Sequence, residues 1–125
     1  MGGFLIVFLG AGLGGMARHG VNVLALRLLG SAFPFGTLAV NVLGSLVMGL
    51  LVGWFAHRGD PGLPWRLFLT TGILGGFTTF STFSLDAASL LERGQAGLAA
   101  LYILLSVGAG LLGLFAGLAL TRPFL

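Results

Sequence analysis

Long apolar runs alternate along the chain with short breaks that hold proline, glycine and much of the charge. A helix crosses a hydrocarbon core of about 30 Å with about 20 apolar residues, each rising 1.5 Å. Four runs are long enough, over about 2–29, 35–56, 65–91 and 95–121. They are separated by Ser31-Ala32-Phe33-Pro34, by His57-Arg58-Gly59-Asp60-Pro61-Gly62-Leu63-Pro64 and by Glu92-Arg93-Gly94, which carry the residues of turns. The pattern predicts an all-α membrane protein, a single transmembrane domain over 1–125 with four transmembrane helices.

Composition sharpens that reading. Of 125 residues, 57% are hydrophobic and only 7% charged, and the mean hydropathy is +1.09. A soluble domain carries about a quarter charged residues, so most of this surface must meet lipid. The N-terminus has no charged region ahead of its apolar run, so that run reads as the first span rather than a cleavable signal. With no cysteine, neither a disulfide framework nor a thiolate metal site is available. His19 and His57 lie far apart without companion carboxylates. Six arginines against three acids give a net charge of +3, but the arginines are scattered singly, which is not the footprint of nucleic-acid binding.

An even number of spans puts both termini on one side, and the excess of arginine should name the cytoplasmic side. Arg58, Arg66 and Arg122 fall on the terminal side; Arg27 and Arg93 fall opposite, with Arg18 deeper in the first span. The bias is close to nil. A chain that inserts in both orientations, and pairs antiparallel with itself, has this pattern; so does one whose weak bias still selects one orientation. Among the 23 glycines, the pairs Gly10/Gly14, Gly49/Gly53, Gly72/Gly76 and Gly113/Gly117 let helix backbones approach closely. Together they favour a tight helical bundle with extensive self-association.

Polar residues at membrane depth are costly and therefore informative. They concentrate in the third span, in Gly72-Ile73-Leu74-Gly75-Gly76-Phe77-Thr78-Thr79-Phe80-Ser81-Thr82-Phe83-Ser84. Helix propensity is poor through Gly75 and Gly76, and a break is expected there. Carbonyls released by a break must face protein, water or an ion; a kink healed by threonine hydroxyls is the plainer alternative. Beyond it, Phe80 and Phe83 share one face, and Ser81 and Ser84 an adjacent one. Ring edges are electropositive, so rings and hydroxyls together would make an uncharged lining for an anion.

Elsewhere, Thr37 and Asn41 stand one turn apart in the second span, and Tyr102 and Ser106 one turn apart in the fourth. Taken separately, each of these residues fits a structural role best, in helix-to-helix hydrogen bonding or, for Tyr102, at the membrane interface; each could also donate to an anion. Arg18 lies roughly 24 Å along the first span, placed either to snorkel toward headgroups or to create positive potential at a pore mouth. No acid precedes Asp60, and none occupies the centre of a span, which disfavours proton-coupled transport. Nor does a Ser/His/Asp set exist at membrane depth for an intramembrane hydrolase.

Gly12-Leu13-Gly14-Gly15-Met16-Ala17-Arg18, Gly36-Thr37-Leu38-Ala39-Val40-Asn41 and Gly75-Gly76-Phe77-Thr78-Thr79-Phe80-Ser81-Thr82-Phe83-Ser84 resemble the Fluc (CrcB) fluoride channels over nearly the whole chain. The resemblance implies an antiparallel, dual-topology homodimer that lets fluoride leave the cell passively, as a multi-pass protein of a prokaryotic plasma membrane. It implies that Asn41, Phe80 and Phe83 line each pore. Ser81, Ser84, Thr37, Tyr102 and Ser106 would form a polar track, with Arg18 at an aqueous vestibule. It also implies a structural Na⁺ at the dimer interface, held by the main-chain carbonyls of Gly75 and Thr78 from both copies. The rival readings are a small dual-topology, proton-coupled multidrug or cation exporter and a non-conducting assembly subunit.

Overall fold

Helix ends fall where the sequence breaks its hydropathy pattern. The structure, a computed structural model, describes residues 2–121; Arg122, weighed above among the terminal-side charges, lies outside them. α1 runs Gly2–Leu29 and ends on Gly30, whose φ of +79° is the left-handed turn a side chain resists. The Gly30 amide returns to the Leu26 carbonyl at 3.0 Å. α2 runs Phe35–Arg58 directly after Pro34. α6 runs Ala96–Thr121. Each of these three is long and apolar enough to cross a membrane.

The third apolar run is assembled from pieces. α3 is the single turn Leu63–Arg66, with proline at its start. A π-helical stretch follows over Leu67–Leu74, a widening that hydropathy does not predict. α4 covers Gly75–Phe77 and α5 covers Phe80–Glu92. Between the last two, Thr78 (φ −88°, ψ 160°) and Thr79 (φ −154°, ψ 117°) are extended. The interruption therefore sits just beyond Gly75 and Gly76, which are themselves helical.

Glycine pairs on different helices face one another. A Cβ on Gly10 would stand 2.9 Å from the Gly72 Cα, and one on Gly76 would stand 2.9 Å from the Ala11 Cα. Likewise, a Cβ on Gly49 would meet the Gly117 Cα at 3.1 Å. These are backbone-to-backbone approaches, of the kind that drives helix association where water contributes nothing. α2 packs most extensively on α6, and α1 on the π-helical stretch. The buried cluster is small: Phe33, Ala87, Leu90, Ala99 and Tyr102. Large apolar side chains such as Phe8, Leu104, Leu112 and Phe115 point outward, the arrangement a bilayer requires.

Candidate ion pathway

Two extended residues create the site. With Thr78 and Thr79 out of helical geometry, the amides that would close the next turn go elsewhere. In an uninterrupted helix the Thr79 N–H would reach the Gly75 carbonyl. It donates instead to Asn41 Oδ1 at 2.8 Å, and Asn41 Nδ2 donates back to the Thr79 carbonyl at 3.0 Å. The Thr82 N–H, due to the Thr78 carbonyl, donates to Thr79 Oγ1 at 3.2 Å. Thr79 is thus the N-cap of α5. Gly75 and Thr78 consequently keep carbonyl oxygens that their own helix does not use.

A cavity of about 330 Å³ opens beside the interruption, lined among others by Asn41, Gly75, Thr78, Phe80, Phe83 and Ser106. None of these six bears a formal charge. The Ser106 hydroxyl oxygen is buried and finds no partner among the described residues. An amide group carries two N–H donors, and one of Asn41's is committed to Thr79. The rings of Phe80 and Phe83 lie 5.6 Å apart at 46°. Phe83 in turn stands 5.2 Å from the Tyr102 ring, while Phe80 is 78% exposed.

Tyr102, fully buried, packs between Phe83 of this cavity and Phe33 of a second one of about 390 Å³, whose lining also includes Thr37, Thr82, Asp86, His19, Asn22 and Arg93. Its ring packs on Phe83 and, edge-on at 5.5 Å, on Phe33. Its hydroxyl donates to Asp86 Oδ2 at 3.2 Å. Thr37 is buried and lines the second cavity rather than the first. Ser81 and Ser84 are exposed on α5 and border neither cavity. Ser84 spends its hydrogen on the Phe80 carbonyl at 3.1 Å. Ser81 Oγ is 3.4 Å from Thr79 Oγ1. The Arg18 Nε donates to the Gly76 carbonyl at 3.0 Å.

Asp86 is the residue that reading the sequence passed over, because it lies outside the centre of its span. A signal was present. Thr79, Thr82, Asp86, Ser89 and Arg93 recur at intervals of three and four, a polar stripe along one face of α5.

Comparison with known proteins falls on the same segments. Residues 5–118 match the family model described as CrcB-like protein, Camphor Resistance (CrcB). The chain belongs to the CrcB family. It is 64% identical over 120 residues to a protein of Methylobacterium nodulans named fluoride-specific ion channel FluC, covering 96% of each chain. It is 62% identical over 119 residues to a protein of that name from Rhodopseudomonas palustris, covering 95% of this chain and 96% of the relative. A Nitrobacter hamburgensis protein named fluoride-specific ion channel FluC 2 is 59% identical over 119 residues, with coverage of 95% and 96%.

Proposed function

We propose that this chain is a fluoride channel of the bacterial plasma membrane, a multi-pass protein that lets fluoride leave the cytoplasm passively and catalyses no reaction. Its family and its curated relatives support this. The observation that carries it physically is the uncharged cavity at the helix interruption, where a buried Ser106 hydroxyl lacks a partner beside Asn41, Phe80 and Phe83. A bare carboxylate-sized ion faces an idealised cost of order 20 kcal/mol on entering a low-dielectric medium. Fluoride is smaller, so its cost is larger. Donors must replace the lost waters without holding the ion so tightly that it stalls. Hydroxyl, amide and ring edge meet both demands.

In this reading Asn41, Phe80, Phe83 and Ser106 contact the ion, and Tyr102, Thr37, Ser81 and Ser84 continue the polar track. Arg18 lies toward the vestibule end of α1. The assembly is an antiparallel homodimer. Phe80, Ser81 and Ser84 stand on an open face whose remaining hydroxyl capacity lipid would leave unused, and a second copy supplies a polar cover. The near-absence of a charge bias allows the two orientations such a pair needs.

The Gly75 and Thr78 carbonyls fit a hard cation, because both are neutral oxygen donors whose helical amides are engaged elsewhere. Two copies would hold a Na⁺ through four such oxygens. When bound, the ion would neutralise the dipoles of these carbonyls.

A fluoride-selective electrode measuring efflux from reconstituted vesicles tests the proposal. Fluoride leaves wild-type vesicles without a proton gradient, and Phe80→Ile or Phe83→Ile abolishes the flux while the dimer persists. Impermeable wild-type vesicles under a driving voltage would sink the proposal. Dependence on a proton gradient would point to the exporter instead.

A further inference from the structure

One face of α1 is spaced for a single neighbour. Gly10, Gly14 and Arg18 recur every four residues, so they stand one above another along the helix. The first two are buried. A Cβ on Gly10 would lie 2.8 Å from the Phe68 carbonyl oxygen, and one on Gly14 would lie 2.8 Å from the Phe77 amide. With the two backbones this close, the third member of the row is delivered to the end of α4. There the Arg18 Nε donates to the Gly76 carbonyl at 3.0 Å.

That carbonyl is the one an uninterrupted helix would satisfy with the Phe80 amide. The extended backbone at Thr78 and Thr79 carries Phe80 away. Arg18 is partly buried, and the ion pair found among the described residues, Arg66 with Asp60, does not involve it. Its protein partner is therefore a carbonyl at the C-terminal, electronegative end of a helical segment, where a cationic donor is favoured.

We propose that Arg18 is a positioning residue of the ion path: its Nε–H takes the place of the missing Phe80 amide and fixes the end of α4. Gly76 faces α1, whereas a Cβ on the adjacent Gly75 would meet only the Thr70 carbonyl oxygen, at 3.7 Å. Tying Gly76 down from one side therefore sets the direction of Gly75 on the other, and with it the start of α5 and the placement of Phe80. The inference rests on the channel reading for its consequence in flux but not for its structural content.

Side-chain length supplies the test. The Nε2 of a glutamine stands as many bonds from its Cα as the Nε of arginine, so Arg18→Gln keeps an N–H donor in position and drops the charge. Arg18→Lys keeps the charge and moves the donor one atom outward. Arg18→Met keeps neither. Hydrogen exchange of the amides over 76–82 and fluoride efflux are measured on each full-length variant. Exchange in Arg18→Met rises at least roughly tenfold, as loss of a hydrogen bond from a charged donor implies. Arg18→Gln stays within about threefold of wild type, and it retains more flux than Arg18→Lys or Arg18→Met.

If Arg18→Lys outperforms Arg18→Gln in both measurements, the residue acts through its charge and the proposal fails. Equal exchange in all four proteins also overturns it. Should Arg18→Met not fold, the glutamine and lysine variants still decide between donor and charge. Wild-type vesicles that pass no fluoride would defeat the channel reading alone, and exchange would still judge the placement of Arg18.

Discussion

Asn41 grips Thr79 twice, accepting its amide hydrogen at 2.8 Å and donating to its carbonyl at 3.0 Å. One side chain of α2 thereby satisfies the backbone at the point where the third span leaves helical geometry. The same residue lines the cavity, so one amide serves both the fold and the candidate ion pathway. Asn41→Ala should abolish fluoride flux and also lower stability by about 2 kcal/mol, since two part-buried backbone groups lose their partners. Thermal unfolding in detergent, run beside efflux, checks both. A variant that keeps wild-type stability would show that the pair contributes nothing to the fold.

Ser106 separates the two roles. Its hydroxyl has no partner to lose among the described residues, so Ser106→Ala should leave stability unchanged or slightly raised. Flux should still fall, by at least roughly tenfold, if the hydroxyl is a donor to the dehydrated ion at a charged-group hydrogen-bond strength of about 1.5–3 kcal/mol. Efflux at wild-type rates from the alanine variant would remove Ser106 from the path.

The Tyr102 hydroxyl donates at 3.2 Å to Asp86, which lines the second cavity. Tyr102→Phe leaves a partly buried carboxylate without that donor, whereas Asp86→Asn keeps an acceptor in place. The first should therefore destabilise more than the second. A double-mutant cycle on thermal unfolding should give a coupling of about 1–3 kcal/mol. Additive effects would mean that the hydrogen bond contributes nothing measurable.

Adjacent glycines on α1 offer a control for packing. A Cβ on Gly14 would fall against the Ile73 carbonyl and the Phe77 amide, while one on Gly15 would meet nothing within 4 Å. Gly14→Ala should cost about 1–3 kcal/mol by overpacking. Gly15→Ala should be neutral, or stabilising by up to about 1 kcal/mol through helix propensity. Equal unfolding temperatures for the two would contradict the close approach of α1 to the third span.

Much of the helical architecture was legible in one dimension because hydropathy and glycine spacing are local. Gly30, with its positive φ, marks the end of α1 where the apolar pattern stops. Gly10 and Gly72, named as packing residues from their spacing alone, meet each other. The concentration of glycine and hydroxyl residues around 75–84 pointed to irregular backbone, and Thr78 and Thr79 supply it. Asp86 was missed because distance from the end of a span says nothing of which way a side chain faces. The π-helical stretch over Leu67–Leu74 was missed because no periodicity of side chains encodes it.

Hydrophobic length and the scarcity of charge, which need no folded partner to be read, already determined that this chain lives in a membrane as a set of apolar helices. Its motifs were enough to indicate a fluoride-channel relative. Tertiary structure alone decided which donors meet which acceptors. The Thr79 amide goes to Asn41 rather than to Gly75, and the Gly76 carbonyl takes the Arg18 Nε. Such exchanges depend on helices 38 and 58 residues apart in sequence arriving side by side. A backbone hydrogen bond is satisfied by whatever donor stands within 3 Å or so, and position in the chain does not record that distance.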